Sequence, residues 1–299
     1  MKILSNITST LGTPYGRGVL MIVVSALFLS TSGVALRAID EAGGWQILFF
    51  RSFAFSITVF LYLTFKKDVS LRTEISSFKW NDCLVVVFMA TGFLAYVFAM
   101  LYTTVANAVF IIGAAPLLMA FLGWLVLRER VSGRTWLAIV GAIAGLIIIV
   151  TGEFSGGRYL GNLIALWIPI SYAFTVILIR KSQRTHMLPA LLLAGILAMV
   201  LSALFVPTFA VSRHDLLISF YLGIFQVGLG FILLFLGARY VPAAQVGLIG
   251  LTETICAPIW VWVTVNEMPS MTTLFGGFII LVSIVSNGML SIIAPRKQE

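Results

Sequence analysis

From Cys83 to Leu127 the chain runs forty-five residues without a charged side chain. A membrane span needs about 20 apolar residues, so this run holds two spans and a short turn, best placed near Thr103–Thr104. The rest of the chain follows the same rhythm. Nineteen uncharged residues lie between Arg17 and Arg37, and the twenty-four between Glu41 and Lys66 are interrupted only by Arg51. Residues 135–152, 159–179, 185–212, 216–238, 240–266 and 268–295 complete the series, giving ten helices. The expected fold class is therefore an all-α membrane protein. Composition excludes the soluble alternative: 60% of residues are hydrophobic and 10% charged, with mean hydropathy +1.08. A soluble domain carries about 25% charged residues.

Basic residues set the orientation. Assigned to alternate loops, fifteen Lys and Arg fall on one side and three, Arg37, Arg158 and Arg213, on the other; Arg51 accounts for the last of the 19. The positive-inside rule places both termini in the cytoplasm, in the cell (inner) membrane. The net charge of +8 then reflects cytoplasmic loops and implies no nucleic-acid partner. Trp45, Trp80 and Trp136 begin helices where interfacial aromatics anchor them. The apolar run from Gly18 is too long for a signal-peptide core and lacks an obvious cleavage site, so it reads as a retained first helix. Cys83 and Cys256 sit in apolar runs as small hydrophobes. Metal-ligand spacing is missing, and His186 and His214 fall in loops, so no metal or other cofactor is expected.

Ten helices divide into two units of five, residues 17–151 and 158–293. Sliding the chain by 138 positions lays Tyr240 on Tyr102, Ala244 on Ala106, Gln245 on Asn107, Trp262 on Trp124, Glu267 on Glu129 and Ser270 on Ser132. At an offset of 143, Gly18 and Arg37 bracket helix 1 as Gly161 and Arg180 bracket helix 6. Five is odd, so the second unit enters from the opposite face, an inverted-topology repeat. Transporters of that build hold substrate near the midplane, where interrupted helices meet, and open to each side in turn. Candidate interruptions are Ser30–Gly33 in helix 1, Gly113–Pro116 in helix 4, Pro169 with Ser171-Tyr172 in helix 6, and Thr252–Thr254 with Pro258 in helix 9.

The segment PLLMAFLGWLVLRERVSGRTWLAIVGAIAGLIIIV at 116–150 resembles the signature of the drug/metabolite transporter superfamily, EamA-type: Pro, an apolar helix, Glu in a short loop, then a Gly-rich helix. The segment TETICAPIWVWVTVNEMPSMTTLFGGFIIL at 252–281 is similar to the same motif in that family's C-terminal repeat. The resemblance covers nearly the whole chain. It implies two EamA repeats, helices 1–4 and 6–9 around a central cavity, helices 5 and 10 outside, and export of small metabolites. The family often places Pro directly after the acid of helix 9; here Thr254 follows Glu253 and Pro258 comes later.

Two full charges stand well inside spans. Counted from the helix ends at 1.5 Å per residue, Arg51 lies roughly 9 Å deep and Glu253 roughly 18 Å deep. Neither has a charged mate in the other unit; Glu253 falls opposite Ala115. An ionisable side chain at such depth faces a polar cavity or a partner. Three readings stay open. The two form a structural or gating ion pair; they grip opposite ends of a zwitterion such as an amino acid; or Glu253 carries a proton. Tyr96, Asn107, Tyr172, Gln226, Gln245 and Trp260 are the candidate neighbours in the substrate site, with Gln46 a further hydrogen-bonding residue. Gly141 and Gly145 permit a close helix contact, with helix 10 as the default partner. Glu129 and Glu267 read as loop caps.

The expected function is a secondary transporter moving a small amphipathic or zwitterionic solute by alternating access, as an exporter. Its partners are that solute and the lipid bilayer, and the chain acts as a monomer or homodimer. A proton-coupled carrier of organic cations or anions is the alternative, and a channel or receptor the alternative of another class. An enzyme is not expected: no His lies inside a span, HExxH is absent, and no aspartate pair sits in helices.

Overall fold

The computed structural model describes residues 13–66, 71–128, 131–152, 158–182, 188–241 and 243–293. Glu129 and His186 lie outside them. Fourteen α-helices and one π-helical segment run along the described residues: α1 (Pro14–Ser30), α2 (Ser32–Arg37), α3 (Gly44–Lys66), α4 (Leu71–Ser76), α5 (Trp80–Tyr102), α6 (Val105–Gly113), α7 (Ala115–Leu127), α8 (Gly133–Gly152), α9 (Tyr159–Ser182), α10 (Leu188–Ala203), α11 (Arg213–Tyr221), the π segment (Leu222–Leu229), α12 (Gly230–Gly237), α13 (Ala243–Val265) and α14 (Met271–Ile293). Among the described residues seven stretches are long and apolar enough to cross a membrane: 14–37, 44–65, 80–102, 105–127, 133–152, 159–179 and 213–237. Shorter apolar helices occupy 188–203, 249–265 and 271–287. The chain is a multi-pass membrane protein.

Local chemistry explains the boundaries. The turn at Thr103–Thr104 falls within the long uncharged run, and the Thr104 hydroxyl caps α6 by accepting the Asn107 N–H at 3.1 Å. Two spans are broken in mid-course. At Thr31 the hydroxyls of Ser30 and Thr31 donate to the carbonyls three residues back, Leu27 and Phe28, both at 2.7 Å. Such back-bonding competes with the helical ladder and opens it. At Ala114 the following Pro116 has no N–H to give to the preceding turn. Pro169 and Pro258, by contrast, sit inside continuous helices α9 and α13, so of the four interruptions read from the sequence only those in helices 1 and 4 divide a helix.

The apolar run 185–212 is not one long helix. Among the described residues α10 ends at Ala203, and residues 204–212 fold over the N-terminal end of α3. Phe205 stacks on Trp45 at 4.8 Å between ring centroids, Phe209 meets Phe49 at 4.9 Å, and Gln46 Nε2 donates to the carbonyls of Thr208 and Ala210. Hydropathy reads this apolar loop as span because it registers composition alone: Phe205 and Phe209 pack on Trp45 and Phe49 yet stay more than half exposed. Span 213–237 carries the widened π turn. Here Gly223 and Gly228 let the backbone approach α3: a Cβ on Gly223 would run into the Arg51 carbonyl and Ala54.

Helix packing in lipid depends on close approach of small residues. Gly145 and Gly276 bring α8 and α14 together; a Cβ on either would lie 2.7 or 2.8 Å from the other's carbonyl oxygen. Gly141 meets Ser283, so the small-residue pair faces α14. Outward, Leu137, Val140, Phe275 and Phe278 are exposed, as lipid contact allows. The remaining principal contacts join α5 with α9, α3 with α10, α1 with α12 and α13, α2 with α13, α10 with α5, α3 with α11 and the π segment, and α9 with α6 and α7.

Candidate functional site

The break at Thr31 organises the middle of the molecule. Three consecutive hydroxyls there reach polar tips on three other spans. Ser30 Oγ accepts from Trp260 Nε1 at 3.0 Å. Thr31 Oγ1 lies 2.9 Å from the Tyr221 hydroxyl, and because its own proton goes to Phe28, Tyr221 donates. Ser32 Oγ is hydrogen-bonded to the Tyr96 hydroxyl. All three side chains could instead have bonded only within their own helix; the broken turn is what frees them to reach outward.

Tyr96 leads to the charges. The Arg51 guanidinium carbon stands 5.2 Å from the Tyr96 ring centroid and 6.0 Å from that of Phe93. Arg51 is 4% exposed and makes no ion pair or hydrogen bond to another described residue. The ring faces give a desolvated guanidinium a partial counter-charge worth about 1 kcal/mol per ring. That is less than a carboxylate would supply. Tyr96 is also close enough to Glu253 to feel its charge, and so is Tyr172 on α9. Glu253, half-buried, makes no ion pair to another described residue. Arg51 packs on the Tyr96 ring, and Tyr96 and Tyr172 lie within electrostatic range of Glu253. Helices α3, α5, α9 and α13 thus bring these four side chains to one region, while Arg51 and Glu253 are not paired with each other.

Gln226 meets the first span just before its break. It is fully buried on the π segment; its Nε2 donates to the Leu29 carbonyl at 3.4 Å, while its Oε1 has no hydrogen-bond partner. A buried acceptor without a donor is a costly feature, and π turns recur at functional sites. Trp260 touches the same region through Ser30.

Two of the sequence-derived candidates lie elsewhere. Asn107 belongs to a buried network at the α5–α6 turn. Its Oδ1 accepts from Thr273 Oγ1 at 2.5 Å, its Nδ2 donates to Thr103 Oγ1 and Asn162 Oδ1 at 3.2 Å each, and Thr103 donates to Asn162 at 2.5 Å. Gln245 sits at the other end of its helix, where its Oε1 accepts from the Tyr15 hydroxyl at 2.8 Å. Ser32, Phe93 and Tyr221 were not site candidates from the sequence, and Gln226 was one without any sign of its π turn. The hydroxyl run at 30–32 was the only signal that pointed toward them, and it named the break without its partners.

Glu267 is more than a cap. Its Oε1 does accept the Val105 N–H at 2.7 Å, at the start of α6, but its Oε2 pairs with Arg37 Nε at 2.6 Å. Among the described residues one cluster could offer three metal ligands, Asp40, His214 and Asp215. The Asp215 carboxylate is already occupied: it accepts the backbone N–H groups of Asp40, Glu41 and Ala42 at 2.9–3.1 Å. His214 Nε2 lies 2.9 Å from the Ala38 carbonyl. The cluster ties residues 38–42 to the first turn of α11, so His214 is helical and not in a loop as its sequence pattern suggests.

With that geometry in place, the comparisons are specific. The model of the EamA-like transporter family matches twice, at residues 16–151 and 159–289. An uncharacterized transporter of Bacillus subtilis is 24% identical over 302 residues, covering 94% of this chain and 95% of that protein. An uncharacterized transporter of Archaeoglobus fulgidus is 26% identical over 272 residues, covering 88% and 93%. A solved crystal structure shares the fold, with a TM-score of 0.66 at 17% identity over 93% of this chain and 99% of its own.

Proposed function

The chain belongs to the EamA-like transporter family, a family of membrane transporters, and from that premise we propose a secondary transporter that exports a small zwitterionic or amphipathic solute, such as an amino acid, by alternating access. The observation that carries the reading is the uncompensated Arg51, buried against Phe93 and Tyr96 with Glu253 in electrostatic reach of the same tyrosine. A solute carboxylate completes the guanidinium by charge-assisted hydrogen bonds, and an ammonium completes Glu253. Tyr96, Tyr172 and Trp260 supply apolar wall and polar tips, and Gln226 Oε1 takes a donor from the solute. Asn107 and Gln245 lie off this group and act in closing the two ends.

Alternating access needs two exchangeable halves, and the helix contacts are consistent with ten spans in an inverted repeat. Exchange the first five spans with the second five. The pairs α3 with α10 and α8 with α14 map onto themselves. The pairing of α5 with α9 becomes that of α12 with α1, and α10 with α5 becomes α3 with α11 and the π segment. Two tight glycine contacts exchange as well. A Cβ on Gly18 would lie 2.8 Å from Tyr240 Cβ, and one on Gly161 would strike the Tyr102 backbone. Gly18 and Gly161, and Tyr102 and Tyr240, are the matched positions of the two units. Both termini are taken as cytoplasmic in the cell membrane, from the loop charges.

The test is transport by purified protein in proteoliposomes across amino acids, amines and organic anions, with and without a proton gradient. Glu253→Gln and Arg51→Gln each abolish transport of the solute found. The double neutral variant stays inactive if both groups hold solute. Recovery of transport in the double variant would mean an ion pair of gate or scaffold and would overturn the reading.

A further inference from the structure

The outer rim of the molecule is held by polar ties that cross between the two halves. Arg37 and Glu267 form the most extensive one. Arg37 ends α2 in the first half and uses all three guanidinium nitrogens: Nε on Glu267 Oε2 at 2.6 Å, Nη1 on the Met100 carbonyl at 2.5 Å and Nη2 on the Thr103 carbonyl at 2.8 Å. Glu267, in the second half, uses its other oxygen on the N–H of Val105. One ion pair therefore clamps the end of the first span, the α5–α6 turn and the α13–α14 loop. Asn266 turns the chain into position for it with a left-handed φ of 54°, a conformation asparagine tolerates better than most residues.

We propose that this pair is the latch of the outer gate, closed in this structure, and that its opening gives the Arg51–Glu253 group access to the outside. Two features set it apart from the buried asparagine and threonine network on the same rim. It stands at the water's edge, with the two side chains 23% and 18% exposed, so each charge exchanges its partner for water when the rim parts. The Asn107–Asn162–Thr103–Thr273 network beneath it is fully buried and has no water to turn to. Its bonds also end on backbone groups at the α5–α6 turn, so releasing one side chain frees three segments at once. The inference rests on the alternating-access reading and on the outward placement of this rim.

The chain supplies its own reporter. Cys256 lies three residues beyond Glu253 on α13 and is partly exposed; Cys83 is the only other thiol. In full-length protein carrying Cys83→Ser, in sealed right-side-out membrane vesicles, the labelling rate of Cys256 is measured with a membrane-impermeant and with a permeant maleimide. Arg37→Gln and Glu267→Gln each raise the impermeant rate at least fivefold and leave the permeant rate within twofold. Glu267→Asp, which shortens the reach by one methylene, gives an intermediate rise and serves if a glutamine variant fails to insert. An unchanged impermeant rate overturns the latch. Equal acceleration by both reagents, with a lower melting temperature, also overturns it and makes the pair a structural staple. Acceleration only in inside-out vesicles overturns the outward placement. Failure of the solute-site reading shows separately, as normal transport in Glu253→Gln or Arg51→Gln with the labelling result intact.

Discussion

Replacing Arg51 with methionine should stabilise the solute-free protein while abolishing transport. An arginine at the centre of a membrane helix costs about 2.5–3.5 kcal/mol on the insertion scale. Arg51 stands seven residues into α3, about 10 Å from its start and short of the midplane, so about 2–3 kcal/mol applies. Against that, the rings of Phe93 and Tyr96 at 6.0 and 5.2 Å return about 0.5–1 kcal/mol each. The buried guanidinium has no ion pair to lose among the described residues, and methionine fills the straight part of the arginine stem. The net is about 1 kcal/mol in favour of the variant, or a rise of about 2 °C in melting temperature for a chain of this size. Thermal unfolding in lipid nanodiscs measures it, with no solute present. The order then reverses on addition of a transported carboxylate: at a hundredfold excess over Kd the wild type gains about 2.7 kcal/mol by mass action and the variant gains nothing. A fall of more than about 2 °C in the solute-free variant would refute the reasoning, because it would mean Arg51 holds the fold together and is not waiting for an anion.

Two further predictions rest on packing and hydrogen bonding. Gly161→Ala drives a methyl group into the Tyr102–Thr103 backbone and should cost about 1–3 kcal/mol, and Gly18→Ala against Tyr240 should cost a comparable amount, both read as a loss of folded yield and melting temperature; tolerance at both would count against the close approach of matched helices. Ser32→Ala and Tyr96→Phe each remove one end of the same hydrogen bond, so a double-variant cycle in the same nanodiscs should show a coupling of about 1 kcal/mol, and strict additivity would argue that the hydroxyls act independently.

Much of the fold was legible without coordinates. A turn at Thr103–Thr104 follows from the length of one uncharged run, and a close-contact face at Gly141 and Gly145 follows from small residues at one-turn spacing; that α14 fills it is seen only in the structure. Hydropathy failed where apolar residues serve a loop: Phe205 and Phe209 look like span but pack on Trp45 and Phe49. It was also silent on the π segment, because nothing in LGIFQVGL distinguishes a widened turn from an ordinary one. Proline misled in the same way. Pro116 accompanies a break and Pro258 does not, since neighbouring helices decide whether the freed carbonyl forces a turn.

For the site, sequence alone determined which residues cannot be indifferent: Arg51 and Glu253 are charges in apolar spans, and desolvation makes such groups seek a cavity or a partner whatever the fold. It also determined that Ser30, Thr31 and Ser32 weaken one helix, because hydroxyl back-bonding is local. Tertiary structure alone decided who meets whom. That Tyr96 packs on Arg51 within electrostatic range of Glu253, that Ser32 bonds to it, and that Asn107 and Gln245 go to opposite ends are consequences of how α3, α5, α9 and α13 pack. Helical periodicity gives the face a residue occupies on its own helix. It carries no information about which other helix, separated by scores of residues in the chain, that face will touch.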